Sequence, residues 1–363
     1  MKLQIKTTKL QEMLSKAIRG ASNNKLIPLT GLIAIQLKDD ELVLTTTDAT
    51  NYLYVKDTNT GDWVADEDTF YAVVQVTTFA KLVARMTCES IVLEINDSYM
   101  SVVGNGTYKI DIPLDEDGNP IKYPNPAEMV SKNNEIGRLS NVIIKNIINS
   151  LKQALMTTSE YPWYTCYYAG DFVIATDTFK ISSLRKQLFT EPKLISTEQM
   201  NLLDVMGSDE IIVYSDGSKM LFDSYNCTVY AVEPTDIEEF SVDAIESLIT
   251  QRFNSMCKLP KDAILRLLDR ISLFVGTYDN GEICLTFTPD GLMVTSKMST
   301  GTEMIPYLEH MNLIDFVCSV NVNMLTAQIK AQSGDSIELW FGDDSSIKIV
   351  DGDNTAIIAL LTE

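Results

Sequence analysis

The chain has 363 residues, enough for two or three domains with a core each, and its 45% apolar content excludes a disordered chain. No apolar run approaches the roughly 20 residues that span a bilayer, and six scattered cysteines without a Cys-x-x-Cys pair predict reduced thiols in a cytoplasmic protein. The net charge of −21 argues against binding a polyphosphate unless the basic residues are gathered in one place.

Met1–Lys6 alternates like a strand and carries no signal core. Leu10, Met13, Leu14, Ala17 and Ile18 then recur at helical spacing, which predicts a helix over 8–21. Alternating strands follow at 31–37, 42–46 and 52–56, and a second helix at 77–88 has Phe79, Leu82, Val83 and Met86 on one face. Two or three strands run from Ile91 to Pro113. The stretch 115–137, with three X-Pro steps, reads as a linker because each resists helix.

The same order then returns, with helices predicted at 140–157, 196–207, 260–275 and 321–333. Two phrases mark the repeat. One is Glu41-Leu42-Val43-Leu44-Thr45, again near Phe172-Val173-Ile174-Ala175-Thr176 and Leu292-Met293-Val294-Thr295-Ser296. The other is Ser90-Ile91-Val92-Leu93, again near Glu210-Ile211-Ile212-Val213 and Ser336-Ile337-Glu338-Leu339. The period of about 120 residues is the size of a small domain, too long for a solenoid. Three similar α+β domains are expected at 1–125, 126–250 and 251–363, each with two helices on antiparallel sheets. The second boundary, around 235–255, carries apolar residues and is expected to pack against a domain.

Charge is unevenly placed on this repeat. The six helix windows hold eleven Lys or Arg and five Asp or Glu, leaving 18 basic and 45 acidic residues elsewhere. Lys9, Lys16 and Arg19 avoid the apolar stripe of their helix, and Lys145 and Lys152 lie opposite Ile144, Ile148 and Leu151. Lys81, Arg85, Arg266, Arg270 and Lys330 continue the pattern. The window 196–207 breaks it, with two acids and no base. Taken one at a time, these are ordinary solvated helix faces. Their repetition points to a basic helix layer in an otherwise acidic protein.

Chemistry is missing. A single histidine, His310, no Gly-x-x-x-x-Gly-Lys-Ser/Thr loop, and a Gly104-Asn105-Gly106 without its third glycine leave no catalytic constellation. Asp39-Asp40 and Asp343-Asp344 sit in turn-like settings, where solvated turns are the simpler reading than a divalent-ion site. The chain reads as a binding protein, not an enzyme, with no cofactor and no metal.

This combination resembles the bacterial sliding clamp, the β subunit of DNA polymerase III. Lys25-Leu26-Ile27-Pro28-Leu29 after the first helix is similar to the family's opening. Thr47-Asp48 and Ala175-Thr176-Asp177 look like its Thr-Asp signatures, and Phe253-Asn254 before the 260–275 helix looks like the entry to its third domain. The resemblance implies a head-to-tail homodimeric ring whose helices face duplex DNA without sequence readout, and a clamp loader and replicative polymerase as partners. It places Lys9, Lys16, Arg19, Lys25, Lys81, Arg85, Lys145, Lys152, Arg266, Arg270 and Lys330 on the DNA side. It assigns Tyr108 and Ile110 of one subunit to a contact with Leu273 and Phe274 of the other.

It further implies a pocket for short linear peptides, walled by Trp163, Thr176, Thr178, Ile181, Val242, Leu248, Ile358 and Leu360. Two departures stand out. Thr178-Phe179-Lys180 replaces the family's Gly-His-Arg, and the tail 359–363 lacks its proline and arginine, as in a diverged phage or mobile-element clamp. The competing reading is an acidic three-domain scaffold or decoy that binds replication proteins without encircling DNA.

Overall fold

The structure, a computed structural model, describes residues 1–58, 61–96, 98–234, 241–276, 280–298, 300–342 and 345–361. Asp343-Asp344 and the last two residues of the tail lie outside them. Among the described residues are seven α-helices: α1 (Thr7–Ala17), α2 (Val76–Val83), α3 (Asn141–Leu151), α4 (Thr197–Met206), α5 (Val242–Thr250), α6 (Lys261–Ser272) and α7 (Val322–Ala331). Four of them fall inside the expected windows, and α1 and α2 begin one residue before theirs.

In α1 the residues Leu10, Met13, Leu14 and Ala17 are buried, as their spacing requires. The helix tightens into one 3₁₀ turn at Ile18–Gly20. A Cβ on Gly20 would come within 2.5 Å of Thr46 Oγ1 and 2.6 Å of Leu53 Cβ, so only glycine lets this turn press onto the sheet. Asn321 starts α7, its side chain accepting from the amides of Asn323 and Met324. The helix not foreseen is α5, which occupies the apolar stretch expected at the second boundary.

Every strand pairing is antiparallel, and the strands form four sheets of five, eight, nine and four strands. The first repeated phrase lies in strands Glu41–Thr47, Val173–Thr176 and Gly291–Ser296. The second lies in Ser90–Ile95, Ile211–Asp216 and Ser336–Phe341, and each of these pairs with the opening strand of its own repeat. Between Leu32–Lys38 and Glu41–Thr47 the tight turn is made by Asp39 and Asp40, both with positive φ. That acid pair is a hairpin turn.

Two strand pairings join one repeat to the next. Tyr52–Thr58 of the first pairs with Cys227–Val232 of the second, building the eight-stranded sheet. Lys180–Leu184 of the second pairs with Asn354–Ala359 of the third, building the nine-stranded sheet. The chain accordingly divides into two compact units, 1–144 with 198–233, and 145–197 with 234–363. The units follow the continuous sheets, while the repeat follows the order of elements.

In the first unit, 115–137 is more than a tether. The Tyr123 amide donates to the Tyr71 hydroxyl (2.7 Å), and the Tyr123 hydroxyl donates to the Leu32 carbonyl (3.2 Å). The core of the second unit gathers Leu267, Leu268, Leu325 and Ile329 from the helices onto Phe287 and Phe341, whose rings stack at 3.7 Å.

Candidate partner-binding and nucleic-acid surfaces

One turn recurs at both inter-repeat pairings. The Thr47 hydroxyl donates to the Asn51 carbonyl (2.6 Å), and the Thr176 hydroxyl donates to the Lys180 carbonyl (2.9 Å). The following aspartate closes each turn. Asp48 Oδ1 accepts from the amides of Thr50 and Asn51, and Asp177 Oδ1 from those of Phe179 and Lys180. The next residue is held left-handed, Ala49 at φ +88° and Thr178 at φ +80°. In the second unit the turn thrusts Phe179 outward, 59% exposed, while Lys180 folds back onto the Asp177 carboxylate.

Beside this turn lies an apolar cluster. Trp163, Tyr168, Ile174, Ile181, Leu194, Ile249 and Ile357 are buried together, with Tyr164, Phe172, Val242 and Ile245 at its margin. Tyr161, Trp163 and Tyr164 contact one another, with Trp163 centred 5.0 Å from Tyr161 and 5.8 Å from Tyr164. Trp163, Ile181 and Val242 are therefore brought together in one cluster. Thr176 is buried behind them, Thr178 is exposed on the turn, and Leu248 is exposed on α5.

Ile358 and Leu360 are not in this cluster. Strand residues alternate faces, and Ile181 pairs with Ile357, so Ile357 shares its face. Ile358 is buried in the α6–α7 core, and Leu360 packs against that same core. Ile357, Ile245 and Ile249 are the residues that sequence reasoning missed. The pairing register would have identified the first, and a helical reading of 242–250 the other two.

The basic residues separate into two groups. Lys9 is half-buried against the buried carboxylate of Asp57 (2.6 Å). Burial pulls its pKa down, yet the hydrogen bond and charge of Asp57, with Glu12 and Asp62, raise it overall. Lys16 stands 4.0 Å from Glu12, and Arg270 is bound by Glu303. Lys9 and Arg270 are thus held in close ion pairs, whereas Lys16 has Glu12 only at the edge of contact. Arg19, Lys25, Lys81, Arg85, Lys145, Lys152, Arg266 and Lys330 are exposed. The exposed set is what long-range attraction to phosphate would use.

The two residue pairs assigned to a subunit contact lie near sheet edges. Thr107–Asp111 is an end strand of the five-stranded sheet, and Thr302–Ile305 an end strand of the four-stranded one. Tyr108 is 42% exposed, whereas Ile110 is 6% exposed and packs inward beneath its own strand. Leu273, 80% exposed, and Phe274 follow α6, and the Phe274 ring lies against Gly301, next to the Thr302–Ile305 edge.

All six cysteines are free thiols, four of them buried. Burial pushes Cys227 up to about 11 and Cys257 and Cys318 up to about 12. His310 is exposed on a short strand beside Tyr307. Among the described residues no cluster of His, Cys, Asp or Glu is arranged to hold a metal, and no helix is long and apolar enough to cross a membrane.

Residues 1–118 match the family of the DNA polymerase III beta subunit, N-terminal domain. The whole chain superposes on solved sliding clamps. The DNA polymerase sliding clamp from Bacillus subtilis matches with a TM-score of 0.85 at 16% identity, covering 100% of this chain and 99% of that one. The fold is that of a sliding clamp. The beta subunit from Streptococcus pyogenes gives the same TM-score and identity over 100% of both chains, and that of Borrelia burgdorferi, solved with a natural product, gives 0.80 at 15%. No curated protein matches in sequence.

Proposed function

We propose that the chain is a DNA sliding clamp: a non-catalytic, cytoplasmic processivity factor that closes with a second copy around duplex DNA and tethers a replicative polymerase and a clamp loader. The repeat supports a division at 1–125, 126–250 and 251–363, each segment running strand, helix, strands, helix, strands, with α5 added at the end of the second. The observation that carries closure is the strand pairing. The first repeat's Tyr52–Thr58 and the second's Lys180–Leu184 each pair with the last strand of the following repeat. The third repeat's equivalent, Thr302–Ile305, and the first repeat's last strand, Thr107–Asp111, are both sheet ends. A second copy supplies each with the partner that the repeat leaves over, and contacts of this heterologous kind close into a ring. Exposed Tyr108, Leu273 and Phe274 flank that junction, while Ile110, on the same strand face as Tyr108, is buried.

A ring holds DNA by topology. It needs no base contacts, and tight phosphate contacts would slow sliding. Eight exposed basic side chains on helices, on the turn after α2 and on the 21–29 loop suit that task, and the acidic remainder repels DNA from other surfaces. Partner tethering rests on the Trp163–Ile181–Ile357 cluster with Val242, Leu248 and the exposed Phe179, an apolar slot suited to peptide anchors. Light scattering on the purified chain tests closure. A mass of two 40.5 kDa copies, reduced to one copy by Tyr108→Asp, is expected. A full-sized dimer in that variant contradicts the assignment. Leu248→Asp is the matching test of the slot, because Leu248 is exposed and its loss spares the core.

A further inference from the structure

Lys348 lies in strand Ser346–Asp351 directly opposite Ile357, so it stands on the same face of the sheet as the apolar cluster. It is buried, and among the described residues no carboxylate partners it; burial holds its pKa below the ordinary lysine value. Its ammonium instead donates to the carbonyls of Ile249 (2.8 Å) and Gln251 (2.5 Å) at the C-terminus of α5, and lies 5.1 Å from the centre of the Phe253 ring.

Three donors of one ammonium are thus directed at two helix-end carbonyls and a ring face. A cation is favoured at that end of a helix by the aligned peptide dipoles. Taking a lysine out of water without a carboxylate is unfavourable, and solvent alone would satisfy the last carbonyls of an exposed helix. What the buried lysine adds is a rigid link from the central sheet to α5, the element bearing Val242, Ile245, Leu248 and Ile249.

We propose that Lys348 is a positioning residue for the peptide slot, fixing the α5 wall against Ile357 and Trp163 so that the slot is formed before a peptide arrives. This rests on the peptide-slot reading above. A preformed wall raises affinity because the ordering has already occurred in the free protein. In the absence of the ammonium, the carbonyls of Ile249 and Gln251 lose this donor, and the nine-residue α5 loses its link to the sheet.

The test uses full-length protein and, as probe, the tightest ten-residue peptide selected from a randomised library on the wild type. Hydrogen exchange across 242–251 is measured alongside the peptide Kd. In Lys348→Met, exchange in α5 is expected to accelerate about tenfold and the Kd to weaken about tenfold, the scale of losing a charge-assisted hydrogen bond. Exchange in Cys166–Ala169 of the same unit should stay within about twofold, which a general loss of stability would not allow.

Unchanged α5 exchange overturns the proposal, as does faster exchange with an unchanged Kd. If the wild type selects no peptide at all, the slot reading itself fails and the proposal with it. If the wild type binds and Lys348→Met binds equally well, only the positioning role fails. Should Lys348→Met not fold, Lys348→Gln, which keeps a neutral donor on a shorter stem, is expected to show smaller changes in both readouts. Wild-type values in that variant would equally overturn the proposal.

Discussion

The two inter-repeat junctions share a strand pairing and a Thr-Asp turn, yet they are finished differently. At the junction in the first unit the paired residues are Tyr52 and Tyr230, with Tyr54 beside them, and Tyr123 from the connecting segment lies edge-on to Tyr52 at 6.4 Å. A cavity of about 550 Å³ remains, lined by Tyr54, Tyr71, Tyr123 and charged side chains including Lys56, Lys132 and Glu128. At the junction in the second unit the paired residues are Ile181 and Ile357, and the connecting segment supplies helix α5. One connection lays a single aromatic, Tyr123, against the strand tyrosines of its junction and leaves a cavity there. The other builds a wall and leaves an exposed Phe179 and Leu248 beside the cluster. Duplicated architecture thus leaves specialisation to the connecting segments.

The largest test of this contrast is Tyr230→Ala. Removing a buried aromatic from the first junction should lower stability by about 3–5 kcal/mol without changing peptide binding, as read by thermal unfolding and titration; a lost peptide affinity would contradict it. Next comes a pair at the second junction. Ile357→Ala and Ile358→Ala should each destabilise by about 2–5 kcal/mol, but only Ile357→Ala should weaken the peptide. Equal effects on binding would erase the face assignment.

Acid sharpens the comparison further. Burial tends to raise the pKa of Asp223, but Lys132 (2.5 Å), Thr228 and Lys56 (3.0 Å) together hold it below the usual carboxylate value. A depressed folded pKa contributes stability above the unfolded value, near about 4, which is lost as pH falls through the folded value. The first unit should therefore lose stability as pH falls below about 4, and Asp223→Asn should remove that part of the pH dependence while lowering stability at neutral pH. A neutral-pH stability unaffected by the substitution would show the network to be inert. The smallest effect concerns the shared turn. Ala49→Gly and Thr178→Gly each relieve a left-handed residue and should stabilise by about 0.5–1 kcal/mol, the two turns responding alike in melting experiments.

Helices with a clear apolar stripe were legible from the sequence. Leu10, Met13, Leu14 and Ala17 define α1, and Ile264, Leu267, Leu268 and Ile271 define α6. Helix α5 was not, because nine residues after a polar, acidic stretch offer few turns of periodicity. The slot was half legible. Asn354–Ala359 is buried on both faces, Ile357 towards Trp163 and Ile358 towards Phe341, so no alternation marks which isoleucine joins the Trp163 cluster. Nor does a count of lysines and arginines show which are neutralised. Asp57 lies 48 residues beyond Lys9, and Glu303 lies 33 beyond Arg270. Folding brings those pairs together, and composition is blind to them.

The most direct test of the clamp reading is retention on DNA of defined topology. The full-length protein is loaded by its clamp loader onto nicked circular plasmid, and the complex is isolated by gel filtration before and after one restriction cut. Encirclement predicts a two-copy clamp that stays on the circle at raised salt and leaves when the DNA is linearised. A single copy, or binding that is equal on circles and linear DNA and fades with salt, would contradict it and favour an acidic scaffold that never closes around the duplex.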